Sequence, residues 1–371
     1  MSFIYNSVRQ FSEEKENEEL YVAMKQYAKD YNMLKTEGRA MAFSAHSKED
    51  EEKVINKLFC EAVERKSGFS LPSDRTSKFA AASYIENPMV KFAANQIVNI
   101  MISMILPETL MTSSINYIAE FKYADLGSSI TFDLENNQLY TVSKADYNKR
   151  NTTVQKLWDT SVTMRGTNHM VTIAEPLIDI LTGFAFIAKD VMKATVSIQS
   201  QMLREAYTAF TTAMGSAPAA LTVDNYAETS LISLCQKVTA ANQGQKAVIL
   251  GTPVALKSVL PSNNNFRFAF DDPYVKMGNI PTFNGYDVVP MEQVIDPTNP
   301  VLYSLALDDT KIYVASPSSD KIVKIGVFGG TLSSGQNAYD MANKNQYQTI
   351  EQAWETAVVT NSAAGVIKQL G

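Results

Sequence analysis

Two stretches near the N-terminus place apolar residues at helical spacing among charges. Leu20, Met24, Tyr27, Tyr31 and Leu34 recur every three or four residues between Glu and Lys, the period of an amphipathic helix with a narrow apolar stripe. A second stretch, Ser47 to Lys66, opens on Ser47 and Asp50 and carries Val54, Leu58 and Ala62 on one face, with acids in its first turn where the helix dipole favours them. These two segments predict either a solvated helical hairpin packed on the rest of the chain or an arm that docks on neighbouring subunits. Residues 67 to 74 are rich in Gly, Pro and Ser and read as a linker.

A mixed apolar segment follows, and from Ile115 to Val142 the pattern changes to strand period, with Ile118, Glu120 and Lys122 alternating and Ser129 to Leu134 doing the same. Asn136 and Asn137 lie between Phe132-Asp133-Leu134 and Leu139-Tyr140-Thr141-Val142, which predicts a turn joining two antiparallel strands. Strand-like residues return at Leu157, Val162, Met164 and Met170 to Ile173. The intervening Ser143 to Lys156 is polar and basic, with Lys144, Lys149, Arg150 and Lys156 against Asp146, so the whole reads as a long hairpin with a tip too polar for a core.

Beyond Gly183, Lys189 to about Met214 is the longest helical pattern, free of Gly and Pro, with Val191, Ala194, Ile198, Met202, Ala206 and Ala209 on one face. At 1.5 Å per residue it spans roughly 39 Å, enough to cross a domain. The remainder alternates: Asp224 to Ala241 is helix-like, Ala247 to Leu250 is a short buried strand and Pro253 to Val259 is a helical turn. Asn284-Gly285 between Thr282-Phe283 and Tyr286 to Val289 predicts a tight hairpin, because that dipeptide tolerates positive φ. Val301 to Leu307, Lys311 to Ala315 and Lys321 to Phe328 read as strands, and Trp354, Thr356, Val358 and Thr360 alternate in the tail.

Charge separates the N-terminal fifth from the rest. Residues 1 to 66 hold 13 acids and 11 bases, a third of all charges in the 371-residue chain, whose net charge is -6. A chain 45% apolar and 19% charged is neither disordered nor a strongly basic nucleic-acid binder. No secretory signal is visible at the start, and Asn95, Gln96, Asn99, Pro107 and Glu108 interrupt the most apolar run, so no membrane span is expected.

Chemistry-bearing motifs are few. The Gly326 to Gly330 run lacks the Lys-Ser/Thr of a phosphate loop, and Ser333 and Ser334 lack the glycine spacing of a hydrolase elbow. His46 and His169 stand alone and read as surface or packing residues. Asp271-Asp272 and Asp308-Asp309 suit turns, and Cys60 and Cys235 sit in apolar faces as small buried residues. No catalytic, metal-binding or cofactor-binding residue is assigned, and the chain is not expected to be an enzyme. An extended hairpin leaves strands exposed unless another subunit covers them; Phe132, Leu139, Tyr140, Tyr147, Leu157 and Trp158 are the apolar residues it offers for such contact.

The order of these parts resembles the tailed-bacteriophage major capsid proteins of the Hong Kong 97-like fold. The resemblance is carried by Ile105-Leu106-Pro107, Gly127 to Phe132, the helix Lys189 to Met214, Ala247 to Pro253, Phe283 to Val289 and Trp354 to Val359, over residues 80 to 371. It implies an α+β fold with an N-terminal arm over 1–75, a peripheral domain beginning over 76–118, an extended hairpin loop over 119–170, more peripheral domain with the spine helix over 171–220, an axial domain over 221–345 and a return strand over 346–371. Val191, Ile198 and Met202 would form the core face of the spine helix. It further implies hexamers and pentamers of this chain enclosing double-stranded DNA without sequence-specific contact, in a virion assembled in the bacterial cytoplasm, with scaffold, portal or decoration proteins as further partners. Some members join a loop lysine to a neighbour's asparagine; Lys144, Lys149 or Lys156 and Asn361 stand where such a pair is conceivable, but no catalytic acid matches, so cross-linking is not expected. The arm is either retained or removed as an internal scaffold. Two other readings are a nanocompartment shell around enzymes, against which the long charged arm argues, and an oligomeric α/β binding protein, which would need a pocket of convergent polar groups.

Overall fold

In the computed structural model, the described residues are 15–36, 47–71, 87–111, 114–134, 140, 142, 144, 154–156, 159–175, 180, 186–260, 279–295, 303–316, 320–340, 345–358 and 363–370. Helices α1 (Lys15–Thr36) and α2 (Lys48–Ser67) come first. Ser47 caps α2 by accepting from the Asp50 N–H, Glu49 to Glu51 occupy its first turn and Arg65 and Lys66 its last, and Gly68 ends it at φ 75° with its N–H on the Glu64 carbonyl. Neither helix stands free. Leu20, Met24, Tyr27, Ile55, Phe59 and Val63 are buried in the main core, the Tyr27 hydroxyl donates to buried Glu52 at 2.7 Å, and Asn56 donates to the Ile180 carbonyl at 2.9 Å. Of the two expectations for this region, the structure shows the helical hairpin packed on its own chain.

The mixed apolar segment is a helix, α3 (Pro88–Met111), with Val90, Ala94, Ile97, Met101 and Ile105 buried. No helix among the described residues is long and apolar enough to cross a membrane. The longest helix, α4 (Ile187–Gly215), has 29 residues, about 44 Å at 1.5 Å each. It packs with α3 against one face of a four-stranded sheet of order β1-β10-β11-β4.

That sheet gathers distant segments. Its strands are β1 (Ala119–Ala124), β4 (Thr167–Glu175), β10 (Val323–Asp340) and β11 (Asn345–Val358). Val323, Ile325 and Val327 face the helices, whereas Lys324, Gly326 and Phe328 face outward, as the period of two requires. The pairing of β10 with β11 is irregular after Phe328, and Gly329 there has φ 65°, with a Cβ at that position falling 2.9 Å from Leu126 Cβ.

A second sheet, of order β5-β12-β9-β6-β8-β7, is built from β5 (Thr222–Asn225), β6 (Val248–Gly251), β7 (Thr282–Phe283), β8 (Tyr286–Pro290), β9 (Ile312–Ala315) and β12 (Gly365–Gln369). Helices α5 (Glu228–Ala241) and α6 (Pro253–Leu256) cover its own core of Leu231, Leu234, Ile249, Val288, Val314 and Ile367. Asn284 and Gly285 take φ 47° and 82°, the left-handed pair that a two-residue hairpin needs. The rings of Phe210, near the end of α4, and Tyr313 of β9 meet in a T-shaped pair with centroids 5.0 Å apart, which ties the two sheets' cores together.

Four expectations are corrected. Phe132 pairs with Val162, so β2 (Ile130–Leu134) finds its partner in β3 (Thr160–Met164) and not in 139–142; Asn136 and Asn137 lie outside the described residues. The hairpin is therefore shorter than 119–170, because β1 and β4 at its two ends belong to the four-stranded sheet. Within 303–307 there is only an isolated bridge, Ile295 to Leu305, in place of a strand. Finally, the sheets do not divide at residue 345: β10 belongs with β1 and β11, and β12 crosses back into the second sheet. The alternating tail looks continuous in sequence, but a strand's period says nothing about which sheet it joins.

Candidate assembly hairpin and its anchorage

The β2–β3 hairpin sits on the outward face of the four-stranded sheet. Alternation sends Ile130, Phe132 and Leu134 to one side of β2, and with Met164 they close a small core over Phe328 and Ala353. Phe132 has no exposed surface. Two ammonium groups lie over its ring, Lys122 Nζ 4.6 Å and Lys324 Nζ 5.6 Å from the centroid. Lys122 also donates to the Thr131 carbonyl at 3.2 Å, and Thr131 and Thr163 share a hydroxyl contact of 3.1 Å across the pair.

Lys324 is the unusual member. Its side chain is fully buried and its ammonium donates to both Glu120 and Asp320. Burying a cation is tolerable only when counter-charges and acceptors surround it. One ammonium between two carboxylates on different segments pins β1, β10 and the turn before β10 beneath the hairpin. The second Asp320 carboxylate oxygen is buried without a hydrogen-bond partner among the described residues. Close approach is a further constraint: a Cβ on Gly166, just after β3, would fall 2.6 Å from the Phe328 ring.

A second cluster joins the sheet to α4. Trp354 is buried, its indole N–H donates to Glu205 of α4 at 2.6 Å, and the His169 ring stacks on it at 3.6 Å with a 6° tilt. Glu205 also accepts from Gln201 at 2.8 Å and faces His169 Nδ1 at 3.6 Å. His169 is therefore a packing residue between β4 and α4. On that helix Val191, Ile198 and Met202 are buried on the inner face.

Past Leu134 the character reverses. Tyr140 is 58% exposed, Val142 92% and Val154 94%, with Lys144 and Lys156 also exposed. Of the hairpin residues singled out from sequence, Tyr140 is on the surface and Phe132 is inside the subunit's own core, so Phe132 is an anchor and not a free contact residue. Leu139, Tyr147, Leu157, Trp158, Lys149, Asn361, His46 and Asp271-Asp272 lie outside the described residues.

The remaining candidates are accounted for locally. Asp308 accepts from the Thr310 hydroxyl at 2.7 Å and backbone N–H at 2.9 Å and pairs with Lys311 at 2.9 Å, contacts that hold its carboxyl at about 2 against the opposing effect of burial. Burial pushes the thiols of Cys60, with help from Glu64 and Glu61, and of Cys235 up to about 12, which makes both poor nucleophiles. Gly326 to Gly330 lies within β10 and is not a phosphate loop. Among the described residues no group of three His, Cys, Asp or Glu side chains is placed to hold a metal ion. Together these contacts root the β2–β3 hairpin on the four-stranded sheet and join that sheet to α4.

The sequence pattern places Glu120 and Trp354 in strands but shows no pairing for them, and it does not single out Lys324, Asp320 or Glu205. One signal was present, a lysine in the otherwise apolar run Ile322-Val323-Lys324-Ile325, where a solvated side chain is out of place.

No protein-family model matches this sequence, and no curated protein matches it. Several solved structures are similar in shape. The capsid chain of a native GTA particle is 12% identical, with a TM-score of 0.47 over 70% of this chain and 91% of that one. The capsid chain of cyanophage P-SCSP1u is 10% identical, at 0.43 over 68% and 86%. A virus-like particle chain from Pyrococcus furiosus is 10% identical, at 0.41 over 71% and 95%.

Proposed function

We propose that this chain is the major shell subunit of a tailed bacteriophage, with a Hong Kong 97-like fold, assembling as hexamers and pentamers around packaged double-stranded DNA. The observation that carries the reading is the hairpin: rooted without slack on the sheet by Phe132 and Lys324, it then presents Val142 and Val154 more than nine-tenths exposed. Valines held in water on a stiff projection cost free energy in a monomer and favour a partner that covers them. The order helical arm, hairpin, spine helix and second sheet supports the same assignment.

The role is structural and not catalytic. DNA is contained without sequence-specific contact, since a subunit of net charge -6 offers few cations for phosphates and lets the cargo slide during packing. The finished shell is a virion component put together in the host cytoplasm, with scaffold, portal or decoration proteins as additional partners, and the arm, being packed into the main core, is retained.

Negative-stain electron microscopy with sedimentation, on the protein expressed alone and with its neighbouring genes, tests this. Closed particles or hexameric and pentameric rings are expected. A strict monomer in both preparations, with the hairpin resistant to protease, would overturn the reading.

A further inference from the structure

The chain turns into β10 with two lysines three residues apart, and their surroundings differ. Lys321 is committed to the backbone, donating to the Asn116 carbonyl at 2.6 Å. The side chain of Lys324 has no exposed surface, and its amine contacts two carboxylates, Asp320 four residues upstream and Glu120 directly across in β1. The Phe132 ring, itself fully buried, lies 5.6 Å from that amine and helps keep water away from it.

The two carboxylates are not equivalent. Asp320 is 14% exposed against 37% for Glu120, and the second Asp320 oxygen is buried with no hydrogen-bond partner among the described residues. Two charges taken out of water and one bare carboxylate oxygen are costs that an ion pair keeps and a neutral amide removes.

We propose that Lys324 and Asp320 condense to an isopeptide bond within the chain, with Glu120 carrying the proton. The ammonium gives one proton to Glu120, and the neutral amine then attacks the Asp320 carboxyl carbon to form the C–N bond. The bare oxygen leaves as water, taking the proton held by Glu120 and a second one from the nitrogen. One ammonium and one carboxylate become one amide and one water, Glu120 returns to its starting state, and no activating co-reactant is needed. Contact between the reacting groups supplies an effective concentration on the order of 10⁵ M or more, which offsets the preference of separated ions for water. The ion triad beneath Phe132 is the reactant of this step. The inference stands apart from the shell reading, and the bond joins no neighbouring subunit.

Mass spectrometry of the purified wild-type protein tests it, so the result does not depend on any variant folding. The whole chain should be lighter by one water than its sequence requires. After denaturation and trypsin digestion, the peptide 325–344 should be missing, because trypsin releases it only when Lys324 carries a free amine. Fragment ions should place the link between Lys324 and Asp320. Glu120→Gln should keep the full mass and release that peptide. A wild-type chain of full mass overturns the inference, and so does loss of water with 325–344 still released, which would mean an imide at an aspartate and no link to the lysine. A link found at Glu120 overturns the assignment of Asp320, and a Glu120→Gln chain still lighter by one water overturns the role given to Glu120. Each of these outcomes leaves the shell reading untouched.

Discussion

Lys324 shows how a single residue anchors the β2–β3 hairpin. Its ammonium is buried between Glu120 and Asp320, and removing it leaves two carboxylates facing each other beneath Phe132. Lys324→Met should destabilise the subunit by about 3 kcal/mol, at the lower end for a broken buried pair because Glu120 is partly exposed. Denaturant unfolding measures this, and adding Asp320→Asn should recover part of the loss; a second change that costs as much again would mean that like-charge repulsion is not the cause. At Asp308 the effect runs through pH. Its carboxyl sits at about 2 in the folded chain against about 3.9 unfolded, so its contribution is complete above that unfolded value and disappears as the pH falls through the folded one. Thr310→Val should move the Asp308 titration upward toward the ordinary carboxylate range, as followed by NMR of the side-chain carboxyl carbon. An unmoved titration would assign the depression to Lys311 instead.

The elements were legible from sequence to different degrees. Amphipathic spacing specifies α1, α2 and α4, and side-chain capping by Ser47 adds to it at α2, but the face of α2 is corrected: Ile55, Phe59, Ala62 and Val63 are buried while Val54 is exposed, because a narrow stripe among charges leaves the helix rotation to tertiary packing. The prediction belonging to this scale concerns the spine: Val191→Asp with Ile198→Asp places two carboxylates in the main core without partners and should abolish soluble folding. A soluble double variant with a wild-type helical spectrum would mean that this face is not the packed one. Helix α3 was harder to read, because apolar residues on several of its sides blur the periodicity. Strands were recognised and then mispartnered. Phe132 alternates equally well whether it pairs with 139–142 or with Val162, and only the hairpin's packing on Phe328 and Ala353 selects the second register.

At the scale of the whole molecule, the proposed shell role assigns the residues joining β2 to β3 to assembly and leaves the buried hairpin root to folding. The described residues of Ser143 to Lys156, namely 144 and 154–156, are exposed, so the chain lacking this segment should fold, and denature, like the wild type while forming no closed shells in electron micrographs. Normal shells from that deletion would take the hairpin out of its assigned role. The sequence by itself determined the helices α1, α2 and α4 and the Asn284-Gly285 turn, all of which follow from interactions within a few residues of one another. Only the tertiary structure decided that β10 and β12 fall in different sheets, that Phe132 is an anchor, and that Lys324 bridges Glu120 and Asp320. Each of these depends on segments some 30 to 200 residues apart being brought together, where packing and desolvation choose among pairings that local pattern leaves equivalent.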